Sequence, residues 1–194
     1  VSDGGQTCYY TTSCANGYNE LLPTDTDYFK WDHKSIIKGG SYKATDGLGI
    51  AFMCGKTTGC NENNGYYSSV SSTYFTTSSV TSSDDRTCYY ATGCKSSYGT
   101  YASSSSIDTA YFSRSYVSSG SQGCYYTTTC ASGAYTTSPS TTYFKVASKS
   151  IRKGGTSSTT LTCYRATGCQ TNYSQYGTGE GDTKSGYTCK KHSC

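Results

Sequence analysis

The chain is short of the residues from which most proteins build an interior. Its 194 residues include only four Leu, five Ile and five Val, with five Phe, one Met and one Trp. So small an aliphatic share usually accompanies disorder, but that rule also requires a high net charge, and here it is only +4. Two prolines and two histidines are present. With His33 and His192 the only imidazoles, Ser-His-Asp and Cys-His catalysis have almost no base to draw on. Only 14% of residues are charged, and no dense Arg/Lys cluster appears, which speaks against nucleic acid as a partner. Neither a membrane-spanning apolar run nor a lipidation motif is found, so membrane insertion is not expected.

What is present is sulfur, phenol and hydroxyl. Twelve Cys and 22 Tyr stand where aliphatic side chains would be, and 33 Ser with 32 Thr make up a third of the chain. Tyr brings a large ring with a polar tip, and Cys is a small hydrophobe that can be cross-linked. An even number of cysteines at recurring spacings fits an oxidising compartment, so a secreted or cell-surface location is expected. The chain begins at Val1, as a processed product would.

Self-similarity organises the sequence. Cys8-YYTTS-Cys14, Cys54-GKTTG-Cys60, Cys88-YYATG-Cys94, Cys124-YYTTT-Cys130 and Cys163-YRATG-Cys169 share one pattern, and Cys189-KKHS-Cys194 is a shorter relative. Successive first cysteines lie 46, 34, 36 and 39 residues apart. Between motifs stands a Tyr-Phe pair: Tyr28-Phe29, Tyr74-Phe75, Tyr111-Phe112 and Tyr143-Phe144. Two flanks agree almost letter for letter, YFKWDHKSIIKGG from Tyr28 and YFKVASKSIRKGG from Tyr143. Counting each opening Cys as position 1, position 5 is always Thr and position 4 always small.

Tyr, Thr, Val and Phe favour strands, while Ser, Gly and Asn mark turns, and no segment has sustained helical spacing. The reading is an all-β fold of disulfide-stapled tandem repeats of short strands, each about 35–45 residues, stacked solenoid-like or as small sandwiches. It divides into an N-terminal repeat region, residues 1–87, with copies at Cys8 and Cys54, and a C-terminal region, 88–194, with copies at Cys88, Cys124, Cys163 and Cys189.

All twelve cysteines, Cys8, Cys14, Cys54, Cys60, Cys88, Cys94, Cys124, Cys130, Cys163, Cys169, Cys189 and Cys194, are expected in structural disulfides. Six residues of straight strand span roughly 20 Å, whereas bonded cysteines need Cα atoms within about 7 Å. A bridge inside one motif therefore requires the motif to turn back, and bonding to a neighbouring copy is the alternative. Two cysteines per motif is the tally of a self-contained bridge, which favours local closure. Zinc sites want closer pairs and nearby His, and Cys-x-x-Cys is absent, so neither metal nor redox chemistry is expected.

No catalytic constellation emerges, no cofactor is implied, and the chain does not read as an enzyme. His33 beside Asp32 reads as a surface residue, Asp25-Thr26-Asp27 and Asp84-Asp85-Arg86 as turns, and Gly177–Gly181 lacks the Lys-Ser/Thr of a phosphate loop. Tyr66, Tyr67, Tyr98 and Tyr101, in loops after a Cys motif, are candidate binding rings for sugars or cations. Asn172-Tyr173-Ser174 is the only N-linked sequon, and the Ser/Thr runs could carry O-linked sugar.

The Cys-Tyr-Tyr-x-Thr-x-Cys motif with its Tyr-Phe marker resembles the cysteine-rich tandem repeats of large bacterial surface and filament-forming proteins. The resemblance covers most of the chain and implies export, β structure and an assembly or adhesion role, with no catalytic residue to carry over. The functional expectation is a structural building block of an extracellular filament or cell-surface layer. It would assemble with copies of itself through β-strand edges and be stabilised by disulfides. A monomeric adhesin or carbohydrate-binding module, with glycans as partners, is the alternative.

Overall fold

The computed structural model of the chain describes residues 1–40 and 49–193. The fold is all-β. Its strands in chain order are β1 (Ser2–Asp3), β2 (Gln6–Thr7), β3 (Asn19–Glu20), β4 (Phe29–Ile37), β5 (Ala51–Cys60), β6 (Phe75–Thr81) and β7 (Thr87–Cys94). They continue as β8 (Thr100–Tyr101), β9 (Ser115–Ser119), β10 (Gln122–Tyr126), β11 (Phe144–Arg152), β12 (Thr160–Cys169), β13 (Tyr173–Ser174), β14 (Gly181–Lys184) and β15 (Tyr187–Lys191). Among the described residues one helical turn, Asp25–Tyr28, and three 3₁₀ turns interrupt them.

The recurring element is an antiparallel hairpin, and it runs from a Tyr-Phe pair to the next Cys motif. In β4/β5 Phe29 faces Cys60, and in β11/β12 Phe144 faces Cys169. In the third such hairpin Phe112 bridges to Cys130 ahead of β9/β10. The Cys strand then gains a second neighbour on its other edge, giving the orders β3-β5-β4, β8-β10-β9 and β13-β15-β14. In β6/β7 and β11/β12 that outer contact is a single bridge, Tyr67 to Tyr89 and Tyr135 to Tyr164. Each of these Cys motifs is thus the middle strand of three.

The invariant Thr at position 5 has a geometric role. Registers shift by one residue between Lys30 and Trp31 and between Lys145 and Val146, leaving Thr58 and Thr167 as the extra residue of a β-bulge. The Thr167 hydroxyl donates to the Lys145 carbonyl at 3.2 Å, and Thr92 does the same to Thr76. A bulge changes which way the following residues point. Cys54 and Cys60 pair with Lys34 and Phe29, five residues apart on an unbroken strand, so the two cysteines face opposite sides of their sheet. Cys163 and Cys169, paired with Lys149 and Phe144, do likewise.

This corrects the expected local closure. The motifs are extended, and the bonds are Cys14–Cys54, Cys60–Cys88, Cys94–Cys124, Cys130–Cys163 and Cys169–Cys189, with Cα atoms 5.4–5.7 Å apart. The second cysteine of each motif joins the first cysteine of the next. Cys8, also expected in a disulfide, is an exposed free thiol, and Cys194 lies outside the described residues. Separations of 20 to 40 residues make each bond worth about 3–4 kcal/mol on the chain-entropy estimate, more than short local loops would give.

The molecule divides into two compact units, residues 1–70 with 77–90, and residues 71–76 with 91–194. The division falls inside β6/β7. In the first unit the core gathers Phe29, Cys60 and Cys88 with Tyr28, Trp31, Tyr66 and Val80 around them. In the second, one cluster holds Ile107, Phe112, Ala134 and Cys163, and another Phe144, Ala166 and Cys189. The Phe of every Tyr-Phe pair is buried and its Tyr half-buried, while position 4 faces inward at Thr57, Thr127 and Ala166, which is why it stays small.

Candidate functional site

The five joints between consecutive motifs share one construction. After the second cysteine the chain turns once through a residue in the left-handed region: Gly17, Gly65, Gly99, Gly133 or Asn172, with φ between +67° and +84°. Two residues later it lies along the outer edge of the next Cys strand. The edge pairs are Asn19 with Gly55, Tyr67 with Tyr89, Tyr101 with Tyr125, Tyr135 with Tyr164 and Ser174 with Lys190. In every case the partner is the residue directly after the first cysteine. Gly escapes the Cβ clash of this conformation, and Asn tolerates it.

Aromatic rings complete two of the joints, where position 3 is Tyr90 or Tyr126. In the first unit Tyr66 lies 5.0 Å from Tyr28 and 5.2 Å from Tyr90, centroid to centroid. Burial, then the neighbouring Tyr28, Tyr90 and Asp27, raise the Tyr66 phenol above its ordinary pKa. In the second unit Tyr74 lies 5.0 Å from Tyr126. The matching KGG segments dock by a matching contact: Gly39 N–H donates to the Thr11 carbonyl and Gly154 N–H to that of Thr127, both at 2.7 Å. A Cβ on Gly39 would fall 2.3 Å from the Tyr10 ring, and one on Gly154 2.6 Å from the Tyr126 ring, so no larger residue fits beneath either tyrosine.

A polar clamp holds one joint of the first unit. The Asp84 carboxylate accepts from the Thr57 N–H and hydroxyl, each at 2.7 Å, and from the Ser82 hydroxyl, while Arg86 Nε donates to Thr57 Oγ1 at 3.0 Å. Burial alone would raise the Asp84 pKa, but the hydrogen bonds from Ser82 and Thr57 outweigh it and hold the carboxyl below its ordinary value.

The residues singled out from sequence are therefore found mostly within joints. Tyr66, Tyr67 and Tyr101 are half-buried there, and Tyr98 accepts the Gly155 N–H through its carbonyl with Lys95 Nζ 4.1 Å from its ring centroid. Tyr66 and Tyr67 belong to the first unit, Tyr98 and Tyr101 to the second. Asn172 is exposed, but its place in the sequence is explained by the left-handed turn it supplies. His33 lines an open groove of about 440 Å³ with Ala15, Tyr18, Asp32, Lys34 and Cys54, where Tyr18 Oη donates to Asp32 at 3.4 Å. Among the described residues no group of three or more His, Cys, Asp or Glu side chains could hold a metal ion, and no helix is long and apolar enough to cross a membrane.

The first motif is the exception to the joint pattern. Cys8 has no bond, Tyr9 is 94% exposed and Tyr10 61% exposed. By contrast Cys88, Cys124, Cys163 and Cys189 are wholly buried. Sequence reading missed this because all copies look alike until connectivity is known. Comparison of the chain with protein-family models, curated proteins and solved structures finds no match in any of the three.

Proposed function

We propose that the chain is a structural building block of an extracellular filament or cell-surface layer, assembled through β-strand edges and stabilised by disulfides. One observation carries this reading: a single joint, made of a disulfide and an added edge strand, recurs between motifs along the sequence, with a tyrosine contact at two of them. Backbone pairing at a strand edge needs no particular side-chain sequence, so a protein built by edge addition can extend the same way between molecules. Five disulfides fit an oxidising compartment, which supports export. A head-to-tail contact that does not close on itself yields an open fibre. Electron microscopy and light scattering of protein prepared under oxidising conditions test the proposal. Filaments or ordered arrays are expected; dispersed monomers at every concentration would overturn it.

A further inference from the structure

The joint between Cys169 and Cys189 is open where the one before it is filled. Between Cys130 and Cys163, Leu161 faces Ile151 across β11/β12, and both pack on a cluster that includes Ala134 and Cys163. In the following joint other residues take these places. Tyr187 stands two positions before its cysteine, as Leu161 does, and faces Lys184 where Leu161 faces Ile151. The Lys184 ammonium lies against a different tyrosine, with Nζ 5.2 Å from the Tyr135 ring centroid. Tyr176 follows the left-handed Asn172 by four residues, at the place that Thr137 takes after Gly133. An open groove of about 390 Å³ runs here, lined by Tyr173, Tyr176 and Tyr187 with Ser174, Gln175 and Thr188. Tyr176 is 81% and Tyr187 42% exposed. Of the three rings only Tyr173 makes a ring contact among the described residues, with Tyr143 at 5.5 Å.

We infer that this groove is a binding site for neutral hexopyranose sugar. Its chemistry selects the ligand. No charged side chain lines it among the described residues, so an ion entering it would lose water without gaining a partner. Phenol rings offer apolar faces, while the phenol hydroxyls, the Ser174 hydroxyl and the Gln175 amide can each donate and accept hydrogen bonds. A fitting ligand is uncharged, carries many hydroxyls and has a flat apolar patch to lay on a ring. A hexopyranose combines these features, with hydroxyls around its rim and C–H groups on its faces. Small-molecule sites pair aromatic walls with a few polar groups in the same way, and the groove's volume is within their range.

The site goes beyond the scaffold reading and stands or falls apart from it. The test is titration of the intact, oxidised chain with cellotriose, maltotriose and mannotriose, followed by calorimetry and by tyrosine ring signals in nuclear magnetic resonance. Glucose, mannose and a galacturonic acid trimer are run beside them. We expect saturable binding of at least one neutral trimer, with the Tyr176 and Tyr187 ring signals shifted. Tyr176→Ala should weaken it roughly tenfold or more, while Tyr176→Phe, which keeps the ring face, should retain most of it. Tyr9→Ala, at another highly exposed ring outside the groove, should change nothing. Because Tyr176 is exposed, its removal should leave Tm unaltered, which separates lost binding from lost fold. A trimer that binds more tightly than its monosaccharide points to a polysaccharide segment, and equal affinity to free sugar. The site is overturned if no neutral sugar binds up to about 10 mM, if Tyr176→Ala binds as the parent does, or if the acidic trimer binds equally well. None of these outcomes bears on whether filaments form.

Discussion

Single residues in this protein are chosen by close approach more than by chemistry. Gly154 is flat against the Tyr126 ring, and that ring contacts Tyr74. Gly154→Ala should therefore displace Tyr126 and cost about 1–3 kcal/mol, as overpacking does. A lowered Tm together with a changed near-ultraviolet tyrosine signal would report it, and an unaltered spectrum would refute the contact's importance. Asp84 makes a different kind of contribution. Its fold favours the carboxylate, so its stabilisation is present in full above the ordinary carboxylate pKa of about 3.9 and is lost as pH falls from there through the depressed folded value. Asp84→Asn should cost about 1–3 kcal/mol near neutral pH, and the gap to the parent protein should close in acid. Denaturant titrations at several pH values check this; a gap that stays constant with pH would assign the effect to packing instead.

At the scale of elements the bulge decides the connectivity. A Cys strand without it would aim both cysteines to one side, since six residues is an even number of steps along a strand. With the extra residue, one cysteine faces back to the preceding motif and the other forward to the next. Deleting Thr167 should therefore turn Cys169 away from Cys189, leave two free thiols, and cost about 3 kcal/mol for that loop. Thr167→Ala keeps the extra residue and removes only the hydroxyl bond to Lys145, so it should leave the disulfide intact. Alkylation with peptide mass spectrometry distinguishes the two variants. A deletion that still forms Cys169–Cys189 would contradict the account. The post-cysteine turn has the same element-level logic: its length varies, but the edge residue always stands two positions beyond the left-handed residue.

For the molecule as a whole, the balance of terms explains why so much sulfur is present. Proteins of this size have a net stability of about 5–15 kcal/mol. Five bonds at about 3–4 kcal/mol each are as large as that entire margin, while the buried apolar side chains among the described residues form three small clusters and a few scattered members such as Leu21, Phe52 and Phe75. Full reduction should consequently unfold the chain, with loss of the far-ultraviolet β signal and rapid proteolysis. Retention of fold and Tm after complete reduction would place the stability elsewhere and remove the support for an oxidising location. The exposed Asp108–Lys149 pair, with Nζ 2.6 Å from the carboxylate, is no substitute, because solvent screens it.

The amino-acid sequence alone determined the repeat, the all-β character, the Tyr-Phe marker and the reliance on cysteine and tyrosine, because these follow from composition and local spacing. It also marked position 5 as special without saying why. Tertiary structure decided the disulfide partners, the bulge at Thr58 and Thr167, and the placement of Tyr66, Tyr67 and Tyr101 within joints. Those outcomes depend on which face a side chain takes and which segment lies beside it. A single inserted residue reverses the first, and contacts tens of residues apart set the second, so neither is written in the neighbourhood of any one motif.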